Sequence, residues 1–401
     1  MPDAIPSPPL SPEEKQVLLV EEAATRLFFI DNIRWTMIIL VVGMHAADTY
    51  SPLGNWYFVD RKPLAISSLL FFAAWQTYLQ SFFMGLFFFI AGFFVPGSFD
   101  RKGAAQFLRD RAFRLGLPVL FYMFLLGPIT EYFVARSWTS TQPTSFANEW
   151  LKHIQNGQFL QENGPLWFCL ALLIFSLGYT IWRSSNTVRF HLARPRPGKV
   201  LGTVALIGFG LIMAVLTFLV RAAHPGSPFN LPLRDFAQYI LLFSAGILAS
   251  QRNWLPELSY ASGMRWMTVA LSFGFAAWLT LLLAGGAYRG KAATFSGGWH
   301  WQSAAFASWE SLTCVALCYG LLVLFREKCN KQGPLARFLS QNAFSVYVFH
   351  PPILIVAARL LHGLTWQPVL KFVVLTLIAA GISFVLSVAV FRRVPLLRRI
   401  L

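Results

Sequence analysis

The feature that most constrains this chain is a series of ten apolar runs, each long enough to cross a membrane as a helix. A hydrocarbon core ~30 Å thick requires roughly 20 apolar residues. The runs lie near residues 32–49, 73–95, 112–130, 166–183, 200–220, 235–250, 266–284, 303–325, 341–361 and 368–391. They predict an all-α fold, a polytopic integral membrane bundle of about ten transmembrane helices.

The composition excludes a water-soluble globular protein. Of the 401 residues, 56% are hydrophobic and only 12% are charged, which is about half the charged share of a soluble chain. The net charge of +16 does not indicate a nucleic-acid partner, because the basic residues lie in short loops between apolar runs. The four cysteines show no disulfide pattern, and no cluster of His, Cys and carboxylates has metal-ligand spacing, so no metal site is predicted.

The distribution of Lys and Arg predicts the orientation. Loops on one side of the predicted spans carry 23 of these residues and loops on the other side carry 10. The richer side is expected to be cytoplasmic, and an even number of spans then places both termini there. The protein is expected to lie in a bacterial inner (plasma) membrane. The longest outer loop, 131–165, is the candidate for a lid that faces substrate.

Two boundaries follow from local composition. Residues 1–25 are rich in proline and charge and are expected to form a mobile cytoplasmic tail, whereas residues 26–401 are expected to form a single transmembrane domain. The stretch 63–95 is too long for one upright crossing. It predicts an interfacial or kinked first part, followed by a span that begins at about Tyr78.

The first span carries ionisable residues at both ends. Arg34 and His45 are eleven residues apart, which places them on one helix face and ~16 Å apart along the axis. Ionisable residues at membrane depth are costly unless they face the interior of the bundle, so both are candidate functional residues. The alternative interpretation is that Arg34 is a positive-inside anchor and His45 an outer-interface residue.

A basic segment precedes the third span. Arg109, Arg111 and Arg114 lie within it, and the last two are i,i+3 neighbours on one helix face. Paired guanidinium groups can bind a phosphate or pyrophosphate through two hydrogen bonds each. The alternative interpretation is ordinary positive-inside charge.

A second histidine lies within the ninth span. His350 is followed by Pro351 and Pro352, and this pair is expected to kink the helix and to free backbone carbonyls beside the imidazole. The remaining histidines lie in loops or at the ends of spans and carry little signal.

Together these segments resemble the acyltransferase-3 family of membrane proteins, and in particular its glucan-biosynthesis branch. The resemblance rests on Arg34 and His45 preceded by Asp31, and on four further motifs in the same order. These are FFMGLFFFIAGFF, RDRAFRLGLPVLF, GPLWFCLALLIFSLGY and LSQNAFSVYVFHPPI. The order and spacing match from about residue 26 to residue 392.

The resemblance implies transfer of an acyl group, acetyl or succinyl, from cytoplasmic acyl-CoA to a hydroxyl of a periplasmic or cell-surface carbohydrate. It implies His45 as the catalytic base with Arg34 as its companion. It also implies that the paired arginines, Arg111 and Arg114, bind the donor together with Arg109. The substrate-binding residues are expected to be Trp167, Tyr347 and His350. Many family members carry a fused soluble domain that this sequence lacks, so the acceptor is less constrained.

The chemistry is consistent with these roles. A sugar hydroxyl is a weak nucleophile at neutral pH, and a neutral imidazole can remove its proton as the hydroxyl attacks a thioester. The rival hypothesis is a transporter or flippase in which His45 and His350 form a proton or substrate path. Transporters usually show internal pseudo-symmetry, which this sequence does not.

Overall fold

The structure is a computed structural model that describes residues 27–54, 56–60, 62–135, 145–185, 202–223 and 226–398. The predicted tail, residues 1–25, lies outside these ranges. In the part described, the long elements are all helices and no strand occurs. The prediction of an all-α polytopic membrane bundle is confirmed, whereas the side on which the termini lie stays a prediction.

Ten helical elements correspond to the ten predicted spans. They are α1 (Phe28–Tyr50), α2 (Ile66–Arg111), α3 (112–135), α4 (Trp167–Ser185), α5 (Thr203–Ala222), α6 (Phe236–Gln251), α7 (Tyr260–Ala284), α8 (Trp301–Lys328), α9 (Pro334–His362) and α10 (Pro368–Ala389). In the described ranges, eight continuous helical segments are long and apolar enough to cross a membrane. The difference from ten has two sources: α2 and α3 merge into one segment of 69 residues, Ile66–Val134, and α6 has only 16 residues.

The second span differs from its prediction. Helix α2 begins at Ile66 and contains no non-helical residue before Gly103, so the expected kink in its first part is wrong, whereas an interfacial first part and a span start at about Tyr78 stay predictions. At Gly103 the backbone has φ +73°, a left-handed conformation that glycine adopts at little cost. This break turns the chain from the crossing part of α2 toward α3. The basic segment is therefore helical both before and after Gly103.

The third span is an irregular helix in which wide π-helical turns alternate with short α-helical pieces. The wide turns are Ala112–Gly116, Tyr122–Leu126 and Thr130–Ala135. The described part of the predicted lid includes a short helix, Phe146–Gln155, that packs on α3. There Trp150 Nε1 donates to the Phe124 carbonyl at 2.7 Å, and His153 Nε2 lies 3.2 Å from the Met123 carbonyl oxygen.

Helix α1 is at the centre of the bundle. It packs against α2, α8, α9 and α10, and most of its residues are buried. Elsewhere α2 and α6 approach closely at small residues. A Cβ atom on Gly92 would lie 2.1 Å from the Phe243 carbonyl oxygen, and one on Gly246 would lie 2.1 Å from that of Phe89. The glycines of the FFMGLFFFIAGFF motif thus permit close helix packing.

Candidate active site

One face of α1 lines a cavity of about 1050 Å³ from one end of the helix to the other. The α1 residues that line it are Asp31, Arg34, Ile38, Val41, Met44, His45 and Asp48. These positions recur every three or four residues, which is the spacing of a single helix face. Arg34 and His45 therefore face the same cavity, as their spacing predicts.

The first end of the cavity is basic. Arg34 Nη1 lies 3.1 Å from Asp31 Oδ1, and the guanidinium also lies over the Phe94 ring, 4.9 Å from its centroid. Arg111 lines the same cavity and is close enough to Arg34 to interact with it electrostatically. We call Asp31, Arg34 and Arg111 the basic end. Its guanidinium groups remain accessible, since 41% of the Arg34 side chain is exposed.

The structure separates the three arginines of the basic segment. Arg111 is half-buried and lines the cavity, whereas Arg109 and Arg114 are exposed. The sequence prediction treated Arg111 and Arg114 as a pair. In three dimensions Arg111 is within electrostatic range of both Arg114 and Arg34. Of these two, Arg34 lines the cavity with Arg111, although it lies 77 positions earlier in the chain. Local spacing cannot reveal a pair of this kind.

The other end of the cavity holds an imidazole that is paired with a carboxylate. His45 Nδ1 lies 3.2 Å from Asp48 Oδ2, and Asp48 Oδ1 accepts a hydrogen bond of 2.7 Å from Gln76 Nε2. An ionised Asp48 fixes the proton on Nδ1 and leaves the lone pair of His45 on Nε2. Asp48 was not among the predicted site residues, although its i,i+3 spacing from His45 is the signal for such a pair.

His350 lies beside this pair and is completely buried. Its ring centroid is 5.5 Å from that of His45, with the planes nearly parallel. Pro351 has no N–H to give to the Tyr347 carbonyl, and His350 Nδ1 lies 2.9 Å from that oxygen. The predicted free carbonyl is present, although α9 continues through both prolines with helical geometry. Among the described residues, His350 Nε2 has no hydrogen-bond partner.

Trp167 and Tyr347, the other residues predicted to bind substrate, line the cavity. The Tyr347 hydroxyl donates to the Pro165 carbonyl, which ties α9 to the start of α4. The Trp167 ring is nearly parallel to the Tyr239 ring, and their centroids are 5.7 Å apart. The cavity wall therefore includes aromatic faces with a fixed orientation.

A short segment after α1 covers the imidazole. We call residues 51–54 and 56–60 the strap. Trp56 stacks on His45 with centroids 3.8 Å apart. Gly54 lies so close to Asp48 that a Cβ atom there would be 1.8 Å from Oδ1, so no larger residue fits without moving the strap.

The strap is tied down by Asp60. Its backbone N–H donates to the Thr49 carbonyl at 2.8 Å. Its carboxylate lies 3.0 Å from Lys371 Nζ and 3.1 Å from His362 Nδ1. Asp60 and Lys371 are both buried. We define the imidazole end of the cavity as His45, Asp48 and the strap; His350 packs beside His45 but does not itself line the cavity.

A titratable carboxyl group lies near the strap. Burial and, to a lesser extent, the charge of Glu131 together raise the pKa of Glu162 to about 7. Tyr57 of the strap is within electrostatic range of Glu162 and lies 3.2 Å, hydroxyl to hydroxyl, from Tyr122. A carboxyl group with a pKa in this range exchanges a proton near neutral pH. Glu162 lies in the predicted lid, 131–165, and was not among the predicted site residues.

Comparisons with known proteins point to one class. The family model described as an acyltransferase domain matches residues 27–388. Glucans biosynthesis protein C of Salmonella schwarzengrund (strain CVM19633) is 26% identical over 271 residues, and so is that of Salmonella typhi. Each match covers 64% of this chain and 66% of the relative's length. No solved structure gives a significant match.

Proposed function

Since the chain belongs to the acyltransferase domain family and is a membrane acyltransferase, we propose that it transfers an acetyl or succinyl group from acyl-CoA to a carbohydrate hydroxyl. The observation that carries the proposal is that one cavity joins the basic end to the imidazole end along a single face of α1. The same cavity can therefore hold both an anionic donor and an acceptor hydroxyl that needs a base.

The basic end suits the phosphates of acyl-CoA. Arg34 and Arg111 together provide two guanidinium groups, and guanidinium binds phosphate in a bidentate manner. Between Arg34 and His45 the cavity face of α1 is apolar, with Ile38, Val41 and Met44. An extended pantetheine arm lying along this face would bring the thioester to His45, ~16 Å away along the helix.

The imidazole end suits activation of the acceptor. His45 Nε2 takes the proton of the sugar hydroxyl as its oxygen attacks the thioester carbonyl. The new C–O bond forms, the C–S bond breaks, and the imidazolium returns the proton to the departing CoA thiolate. Asp48 stabilises the imidazolium and holds its ring in place, while Gln76 orients Asp48. General base catalysis of this kind contributes roughly 10²–10⁴ in rate.

The remaining predicted residues shape this end. Trp167 and Tyr347 present aromatic faces toward the acceptor, and His350 packs against the His45 ring. We place the basic end on the cytoplasmic side, where acyl-CoA is made, with the protein in a bacterial inner membrane. The acceptor is then a periplasmic or cell-surface carbohydrate. The name of the Salmonella relatives, glucans biosynthesis protein C, favours a glucan.

The test uses purified protein in lipid nanodiscs. We expect acetyl-CoA or succinyl-CoA to bind, and a glucose oligosaccharide to gain the mass of one acyl group when the donor is added. Free CoA should appear in equal amount. A transporter or flippase would show neither donor binding nor ester formation, and that result would overturn the proposal.

A further inference from the structure

A second group of charged residues lines the cavity away from His45. Arg221, at the end of α5, lies between two carboxylates. Its Nη2 is 2.6 Å from Asp235 Oδ1 and its Nη1 is 2.7 Å from Glu310 Oε2. Only 3% of the Arg221 side chain is exposed. Arg234 is more exposed and lies 3.8 Å from Asp235. All four residues line the cavity, and the acyl-transfer steps above use none of them.

An ion pair that only held two helices together would need one arginine and one carboxylate. Here one buried arginine, Arg221, lies between two carboxylates. A buried ion pair contributes little net stability, and each further buried charge adds a desolvation cost. Two buried hydrogen-bonding groups nearby have no partner among the described residues: the Tyr239 hydroxyl and Trp278 Nε1. Trp278 lines the cavity, and Tyr239 is within electrostatic range of Asp235 and Glu310 without bonding to either. Buried polar atoms without partners are rare in native structures.

This cluster lies on the same side of the bundle as His45. Successive helices cross the bundle in opposite directions. The end of α1, the end of α5 and the start of α6 therefore lie on the same side. Gln238, one turn beyond Asp235, donates to the Ser81 carbonyl of α2 at 2.5 Å. Ser81 is five residues, or ~8 Å along α2, from Gln76, which binds Asp48. The cluster and the His45–Asp48 pair are thus anchored on neighbouring turns of one helix.

The chemistry of the cluster fits a neutral polyhydroxyl ligand. Carboxylates accept hydrogen bonds from neighbouring hydroxyls, and aromatic faces cover the apolar faces of sugar rings. The aromatic residues Trp278, Tyr288, Phe295 and Phe306 line this part of the cavity. The two arginines and two carboxylates balance in formal charge, unlike the basic end, so nothing here favours a phosphate.

We propose that Arg221, Asp235, Glu310 and Trp278 form a carbohydrate subsite that holds the acceptor while its hydroxyl reaches His45. This inference rests on the proposed function, because it assigns the acceptor of the same cavity. Loss of one hydrogen-bonding group from such a site weakens binding about tenfold.

The test measures binding of glucose oligosaccharides to the full chain without any donor. Nanodiscs are used because glycoside detergents would compete. Glu310→Gln keeps the size of the side chain and leaves the Arg221–Asp235 pair intact, and Trp278→Phe removes an indole N–H that has no hydrogen-bond partner among the described residues. We expect each variant to raise the dissociation constant of the oligosaccharide about tenfold while the affinity for acyl-CoA is unchanged.

Trp75→Phe is the matched control, because its buried indole N–H also lacks a hydrogen-bond partner among the described residues but Trp75 does not line the cavity. Equal oligosaccharide affinity in wild type, Glu310→Gln and Trp278→Phe would show that the cluster is only structural. Failure of the wild type to bind any oligosaccharide would also overturn the subsite. Oligosaccharide binding without acyl-CoA binding would support the subsite and overturn the proposed function instead.

Discussion

The basic end and the imidazole end of the cavity are built in opposite ways. Arg34 and Arg111 are long, partly exposed side chains that contact one carboxylate and aromatic rings. His45 is 20% exposed, hydrogen-bonded to Asp48 and covered by Trp56. Flexible guanidinium groups tolerate a large donor that must enter and leave. A base needs a fixed position, because small displacements from the reacting atom cost much of its effect.

The largest effect is expected at the imidazole end. His45→Ala removes the proposed base and should lower the rate of acyl transfer by roughly 10²–10⁴, with acyl-CoA affinity little changed. Asp48→Asn keeps the size of the side chain but removes the charge that stabilises the imidazolium, and a loss on the order of 10² is expected. Both rates are measured by mass spectrometry of the acylated oligosaccharide.

His300→Ala provides the control for this comparison, because His300 is an exposed histidine just before α8. It should transfer acyl groups at the wild-type rate. A well-folded His45→Ala variant with wild-type activity would remove the base from the proposed mechanism and with it the contrast between the two ends.

The architecture was predictable from the sequence because each helix that crosses a membrane must be apolar along its own length. Apolar length alone located all ten helices, with the largest error in α2, which extends 16 residues beyond the predicted end of its span. The Arg34–His45 relation was predictable for the same reason, since both lie on one helix. The partners that come from elsewhere in the chain were not predictable. Arg111 beside Arg34, Gln76 on Asp48 and the strap on His45 all depend on tertiary packing.

The burial of charged residues was the least predictable property. Lys371 and Arg221 were counted as ordinary loop charges, yet both are almost completely buried in ion pairs. Composition records that a charge is present but not which residue neutralises it. Arg114, which was expected to bind the donor together with Arg111, is exposed, and its role in donor binding stays a prediction.

The next largest effect is expected at the basic end, where Arg111 can be distinguished from the neighbouring Arg114. Arg111→Ala should raise the KM for acyl-CoA about tenfold, because a charged hydrogen bond to phosphate is worth about 1.5–3 kcal/mol. Arg111→Lys should recover only part of this, since lysine cannot bind in a bidentate manner. Arg114→Ala should change the KM much less, because its side chain is exposed outside the cavity.

The exposed Arg337 provides the control for loss of a surface charge. Arg337→Ala should leave the KM for acyl-CoA unchanged. Equal increases for Arg111→Ala, Arg114→Ala and Arg337→Ala would mean that these residues act through overall positive charge, and the basic end would then have no specific role.

The smallest effect on kcat is expected at the strap. It tests whether the fixed geometry of the imidazole end depends on Asp60. Asp60→Asn leaves Lys371 buried without its partner, and breaking a buried pair costs about 3–5 kcal/mol of stability. The double variant Asp60→Asn with Lys371→Met removes both charges and should regain most of the thermal stability. If Asp60 also holds Trp56 on His45, the double variant should keep a kcat lowered about threefold, with the KM for acyl-CoA unchanged. A double variant with both wild-type stability and wild-type kcat would show that the ion pair only stabilises the fold. The precise placement of His45 would then come from Asp48 and Gln76 alone.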